Sequence, residues 1–513
     1  MQSWGEGYIT DIEYADGFYA AQGPRQMALA ALMRGLETPD FDRPFAYCEL
    51  GCGRGRTSLV LAALHPQGEF HAVDFHPAHI AQAVQEAEAA RLPNIRFHEK
   101  SFEELTGPGA PALPMFDAVS LHGVWSWVSP ELQGAIVAFL KAKLKPGGLV
   151  FVSYNAMPAW TQVAPLQRVL KELADAAPTR SDLAIGHSVQ ALGRLFEAKV
   201  IPESFHEGME KIQSQAERAQ FEYLAHEYLN AHWRPLYHID VVRAMEPAKL
   251  SYAGHADLLR NFPILGFSDE QNAALSEIPG EALRETLTDF CLGSWFRREL
   301  YVRGARRLMA GVRAERIAAL ELTLLAPFPE VLQLQAHDGT LWKPHVEVYQ
   351  AVGRALRQGP RMVGELLSSP ELPAGHPVGP VELAGVLVGV GLAGIRQKPD
   401  PAANAAAARL NGLLRPPHET SMTTGVTLAV PAISSGVTMS AAEYTLYWAA
   451  RHGPVDVDAA AHAFVDRCRR AGGHPIIDGQ AYEEEGEAIA AATRNYEQKL
   501  EHLTPLWRLW GLL

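Results

Sequence analysis

From residue 45 to residue 154 short apolar runs alternate with amphipathic stretches. The pattern predicts strands near 45–50, 69–74, 95–99, 116–122 and 149–154, and helices near 56–64, 77–91 and 130–144. Short apolar runs bounded by turn residues suit buried strands, whereas apolar positions three and four apart mark one face of a helix. Strand then helix, repeated, predicts a doubly wound parallel sheet with helices on both faces. Ahead of it, tyrosines at 8, 14 and 19 precede a helical pattern through Met27, Leu29, Leu32, Met33 and Leu36, which reads as a cap before the first strand.

After Pro158 the period becomes helical, over roughly 163–176, 188–197, 206–230 and 238–247, the pattern of an insertion or lid. The runs LSYAGHA at 250–256 and ELTLLAP at 321–327 have strand character and are assigned to completing the sheet. Residues 344–397 give a helix, a short helix at 363–367, a helix at 381–390 and a short strand, an order that resembles a winged helix. Residues 398–440, rich in Ala, Pro, Ser and Thr, read as a linker or β-rich connector, and 440–513 return to helix. The expected division is a core with its N-terminal cap over 1–158, a helical insertion over 159–330, the winged-helix-like module over 331–398 and a mainly α C-terminal domain over 399–513.

Composition narrows the classes. A chain of 513 residues exceeds one hydrophobic core. With 48% hydrophobic and 20% charged residues it is globular rather than disordered. A net charge of −13, with acids spread along the chain, is a poor footprint for nucleic acid. In the winged-helix-like stretch Arg354, Arg357, Arg361 and Arg396 are balanced by Glu347, Glu365, Glu371 and Glu382, and its last helix has no lysine or arginine. Duplex affinity needs phosphate neutralisation, so this stretch reads as a packing or partner module. Cys48, Cys52, Cys291 and Cys468 lack metal-ligand spacing and read as reduced thiols. The start of the sequence has no signal-peptide pattern, and the longest apolar stretch, 383–395, is too short to span a bilayer and reads as a buried helix. A cytoplasmic protein without metal, nucleic-acid or membrane partners is expected, with homodimer formation left open.

The chemistry concentrates in FAYCELGCGRGRTS, residues 45–58. Glycines at 51, 53 and 55 allow a sharp turn and close approach of a ligand to the backbone, and the following helix offers its unpaired N–H groups. A dinucleotide fingerprint starting at Gly51 would need glycine at 56, where Arg56 stands. Glu49 with Gly51, Cys52, Gly53 and Gly55 instead resembles the class I S-adenosylmethionine (SAM) dependent methyltransferases. The resemblance implies that Glu49 and the turn hold the amino-acid end of SAM. Asp74, ending EFHAVD, is suited to accept both ribose hydroxyls, with Phe75 beside it. Ser101 and Phe102, after the third strand, fall where this superfamily contacts adenine. Tyr14 and Tyr19 are candidates to close over the cofactor from the cap, or are structural.

Ligands of open parallel sheets bind beyond the carboxyl ends of the strands. His122, Trp125 and Trp127 follow the fourth strand, and Tyr154 and Asn155 end the fifth. His122, Trp125 and Tyr154 are therefore the catalytic candidates, and Trp127 and Asn155 the substrate-side ones. The superfamily's Asn/Asp-Pro-Pro-Tyr signature is absent, which disfavours nucleobases and glutamine amides as acceptors.

The phrases YITDIEYADGFY, LHGVWSWV, SYNAMPAW and HEYLNAHWRPLYHIDVVRAMEPAKLSYAGHADL extend the likeness over residues 5–310. They resemble the bacterial methyltransferases with a methyltransferase regulatory domain, a group that includes rickettsial protein-lysine methyltransferases acting on outer-membrane proteins. The resemblance implies SAM as cofactor, S-adenosylhomocysteine as product, and a protein or peptide as acceptor. A small-molecule N- or O-methyltransferase with a helical lid, and a non-catalytic SAM-binding scaffold, are the competing readings.

Overall fold

The computed structural model describes residues 5, 7–12, 17–176, 179–218, 221–335, 341–417, 425–470 and 473–513. Its centre is a seven-stranded sheet in the order β3-β2-β1-β4-β5-β7-β6. The strands are β1 (Phe45–Leu50), β2 (Gly68–Asp74), β3 (Ile95–Glu99), β4 (Phe116–Leu121), β5 (Leu144–Asn155), β6 (Leu250–His255) and β7 (Phe296–Arg303). The first five run parallel, and β7 lies antiparallel between β5 and β6. Helices α1 (Pro24–Met33), α2 (Arg56–Leu64), α3 (Pro77–Ala89) and α4 (Pro130–Lys143) cover the sheet. Local chemistry sets their starts: Pro77 and Pro130 occupy first helical positions, and Ser129 caps α4 by accepting the Leu132 N–H.

All six residues of β1 are buried, as expected for a central parallel strand covered on both faces. One face packs on α1 and α2 in a core that continues through Leu383 and Leu428 to Trp507 and Trp510. The other packs on Ile136, Phe139 and Leu140 of α4. The insertion forms α5 (Ala164–Ala176), α6 (Ser181–Glu197), α7 (His206–Arg218), α8 (Phe221–Tyr228) and α9 (His238–Met245). Trp160, Leu166, Leu170, Leu192 and Tyr228 give it a core of its own. The described residues of the helix expected over 206–230 are α7 and α8, and α6 begins before the expected 188.

One of the two strand assignments needs correction. Residues 250–256 do complete the main sheet, as β6. Glu321–Leu324 does not; it pairs with Arg361–Met362 and Ala393–Ile395 in a separate three-stranded sheet. The second added strand of the main sheet is β7, whose polar text conceals it. Fully buried Arg297 donates from Nη1 to Asp289 Oδ2 at 2.7 Å and from Nη2 to Glu285 Oε2 at 2.9 Å, and it bonds Glu299. Glu299 in turn meets His238 Nδ1 at 2.7 Å and accepts the Tyr301 hydroxyl at 2.8 Å. This network ties β7 to the helix Glu281–Leu292 and to α9. The stretch 383–395 is the end of the helix Pro380–Gly389 followed by the strand Ala393–Ile395, so the buried helix expected there is only its first half.

Among the described residues, no helix is long and apolar enough to cross a membrane, and no group of three metal-ligating side chains gathers.

Candidate active site

The order of the sheet reverses direction at β1, between β2 and β4, where parallel sheets open a crevice beyond their carboxyl ends. The crevice here is a cavity of about 1230 Å³ counting its solvent-open mouth. The turn after β1 forms its floor, with φ of +71°, +52° and +76° at Gly51, Gly53 and Gly55. A Cβ on Gly51 would stand 2.5 Å from Val124 Cγ2, and one on Gly55 2.5 Å from the Phe97 ring. Gly53 has nothing within 4 Å of that position and faces the cavity. Gly51 and Gly55 are therefore demanded by the protein's own packing and Gly53 by what enters. Gly55 does not line the cavity; its left-handed backbone caps the start of α2.

Two carboxylates face the turn. Glu49, at the end of β1, is 5% exposed and accepts the Ser58 hydroxyl. Asp74, at the end of β2, accepts the Gly53 N–H at 2.8 Å through Oδ2 and the His76 N–H at 2.9 Å through Oδ1. Backbone amides thus hold the Asp74 carboxylate at the lip of the turn. Cys52, Phe75, Ser101, Phe102 and Tyr19 also line the space. Burial, with the fields of Asp74 and Glu49, pushes the Cys52 thiol well up, so it stays protonated. Tyr14 lies outside the described residues.

At the other end stand His122 and Trp127. Nδ1 of His122 is 2.9 Å from the Ser153 hydroxyl, and the Tyr19 ring lies 3.8 Å away, centroid to centroid. Burial first, and the Arg298 charge second, lower the His122 pKa to about 3. The imidazole is neutral near pH 7, a polar wall rather than a cation.

Three expected residues are elsewhere. Trp125 is 1% exposed and packs in the core beneath α4, its carbonyl accepting the Gln133 amide at 2.7 Å. Tyr154 is fully buried with its hydroxyl 3.4 Å from His238 Nδ1. Burial and Glu299 push its phenol far up, which removes it as a catalytic acid or base. The cause is strand alternation: Ser153 faces His122, so Tyr154 must point the other way. Asn155 is 2% exposed and donates from Nδ2 to Glu227 Oε1 at 3.0 Å, one layer behind the surface it was expected to line.

Sequence reasoning missed Gln22. It is fully buried, its Oε1 accepts the Ser120 hydroxyl at 2.8 Å, and its Nε2 meets no acceptor while the residue lines the cavity. A glutamine within AAQGP, just before a proline-started helix, was the available signal. Also missed were Tyr8 and Thr57 on the wall, and a smaller adjoining hollow closed by Tyr223, His226 and Glu227. An orphan donor, two acceptor carboxylates, an open cradle at Gly53 and aromatic walls fit a ligand with a carboxylate, an ammonium, a diol and a flat base.

A family profile described as "Methyltransferase domain" matches residues 48–148, and one described as "Predicted methyltransferase regulatory domain" matches residues 220–303. Protein sll1526 of Synechocystis sp. is 33% identical over 368 residues, 71% of this chain and 71% of its own length. Protein RP789 of Rickettsia prowazekii is 28% identical over 160 residues, 31% of this chain and 28% of its own length. Among solved structures, PKMT2 from Rickettsia typhi in complex with AdoHcy superposes with a TM-score of 0.65 at 16% identity. That superposition covers 97% of this chain and 99% of PKMT2, so the fold is shared from end to end.

Proposed function

Because the chain belongs to the SAM-dependent methyltransferases that carry a methyltransferase regulatory domain, we propose that it N-methylates a side chain of a protein or peptide, lysine foremost. SAM brings a methyl group already activated on a sulfonium, so the protein's contribution is mainly positioning and the exclusion of water. Gln22 and Glu49 would hold the carboxylate and ammonium of the amino-acid end, Asp74 the ribose diol, and Phe102 the base. His122, neutral and clamped between Tyr19 and Ser153, would present a polar edge where positive charge passes from sulfur to nitrogen.

The observation that carries the acceptor class is the hollow beside α8, whose walls share Tyr8, Gly123 and Trp127 with the main cavity. An acceptor group placed in that hollow would lie beside Gly123 and Trp127, which also line the main cavity with His122. The end-to-end fold shared with a protein named PKMT2 supports the same reading. The test is transfer of labelled methyl from SAM to lysine-bearing polypeptides, followed by hydrolysis and identification of methyl-lysine. The rate should rise with pH above neutrality, because the acceptor must lose its proton before it attacks. Saturable SAM binding without label on any polypeptide would refute the proposal.

A further inference from the structure

The small hollow beneath α8 is bounded by Tyr8, Gly123, Trp127, Tyr223, His226 and Glu227. We propose that it is the acceptor-amine subsite, where the Glu227 carboxylate is the counter-charge for the primary ammonium of the substrate. This rests on the methyltransferase reading above and adds the chemistry of one end of that site.

Glu227 is only 9% exposed. Its Oε1 accepts the Asn155 amide at 3.0 Å, which anchors it to the carboxyl end of β5. Among the described residues it has no ion-pair partner; Lys211, the cation whose field reaches it, is engaged over the Trp295 ring at 4.0 Å. A buried carboxylate held by an amide but without a cation in ion-pair contact among the described residues is an electrostatic deficit that a cationic ligand repairs. The walls suit that ligand. The rings of Tyr8, Trp127 and Tyr223 line the hollow, and aromatic rings favour an ammonium and cover an alkyl stem. Burial and the charge of Glu227 push the Tyr223 phenol up to about 12, and Tyr8 higher still, so both remain neutral hydroxyls beside the carboxylate. Gly123 and Trp127 belong to both spaces, which sets the amine at the His122 end of the cavity.

The chemistry balances. The substrate ammonium passes one proton to the Glu227 carboxylate, and its freed lone pair forms the N–C bond. The C–S bond breaks with its electron pair going to sulfur. The products are a methylated ammonium, a neutral thioether and a protonated Glu227, which returns its proton to water. Burial raises the Glu227 pKa and so favours the acceptance of that proton.

The test uses the full chain saturated with S-adenosylhomocysteine and titrated calorimetrically with n-butylammonium and, separately, 1-butanol. Wild type is expected to bind the ammonium at least tenfold more tightly than the alcohol. Glu227→Gln should erase that preference while S-adenosylhomocysteine affinity stays within twofold, which also certifies its fold. Equal binding of the two probes by wild type, a comparison that needs no variant, or an unchanged preference in Glu227→Gln overturns the inference. The two proposals fail separately. Ammonium binding at Glu227 without methylation of any polypeptide would refute the protein-substrate reading alone; lysine methylation with KM and kcat unchanged in Glu227→Gln would refute this one alone.

Discussion

Three glycines in one turn answer to different masters. A side chain at Gly51 collides with Val124 in a left-handed backbone, so Gly51→Ala should lower thermal stability first and cofactor affinity only as a result. Gly53→Val meets open space and should leave the protein folded, at a left-handed cost of about 1–2 kcal/mol. Its β-branched side chain fills the cradle, so calorimetric SAM binding should vanish; equal losses of stability in both variants would contradict this division. Gln22 gives a second test. Gln22→Leu removes the orphan Nε2, and Ser120 keeps the Tyr47 hydroxyl at 2.6 Å as a partner. Cofactor affinity should fall by about 1 kcal/mol, roughly fivefold, with stability unchanged or higher. Unaltered affinity would mean that the amide does not touch the ligand.

Elements that follow one period were legible, and those serving two neighbours were not. The glycine turn, β1 to β4 and α2 to α4 were read close to their observed bounds, whereas β5 begins at Leu144, ahead of the expected 149. FRRELYVR was not read as β7, since Arg297 and Glu299 neutralise each other inside the molecule and mimic a surface segment. The same blindness to pleat placed Tyr154 in the site, although alternation from Ser153 would have excluded it. Arg297→Ala would strand the buried Glu299 and Asp289 carboxylates, and the denaturant midpoint should drop by the equivalent of about 3–5 kcal/mol. A loss below 1 kcal/mol would show that the network relaxes. Buried histidines also carry the pH response. Burial lowers His65 and His122 to about 3 and His98 and His255 to about 4, from a usual 6.5. The native state refuses protons that the unfolded chain accepts, so this share of stability is complete above pH 6.5 and drains away as pH falls toward 4 and then 3. Urea midpoints should be lower at pH 5 than at pH 7; the reverse order would contradict the assignment.

Over the whole molecule, the sequence divides the chain into four stretches, and much of the packing joins them. One apolar core runs from Met27 through Leu59 to Leu428 and Trp510. Arg409 donates to the Ala90 carbonyl at 2.8 Å, and the Trp510 indole to the Leu324 carbonyl at 2.8 Å. Such joints are invisible in sequence because they depend on surfaces that exist only after folding. Thermal unfolding should therefore be a single transition with coincident fluorescence and circular dichroism curves. A separate, earlier melt of the C-terminal third would refute that coupling. The bond from Trp510 to Leu324 has a further meaning for biosynthesis. Its two ends are 186 residues apart, and at about 5–20 residues per second a ribosome needs roughly ten to forty seconds to supply the second after the first. Through that interval the emerging polypeptide holds half of a finished joint, and chaperones have a surface to guard until the missing donor arrives.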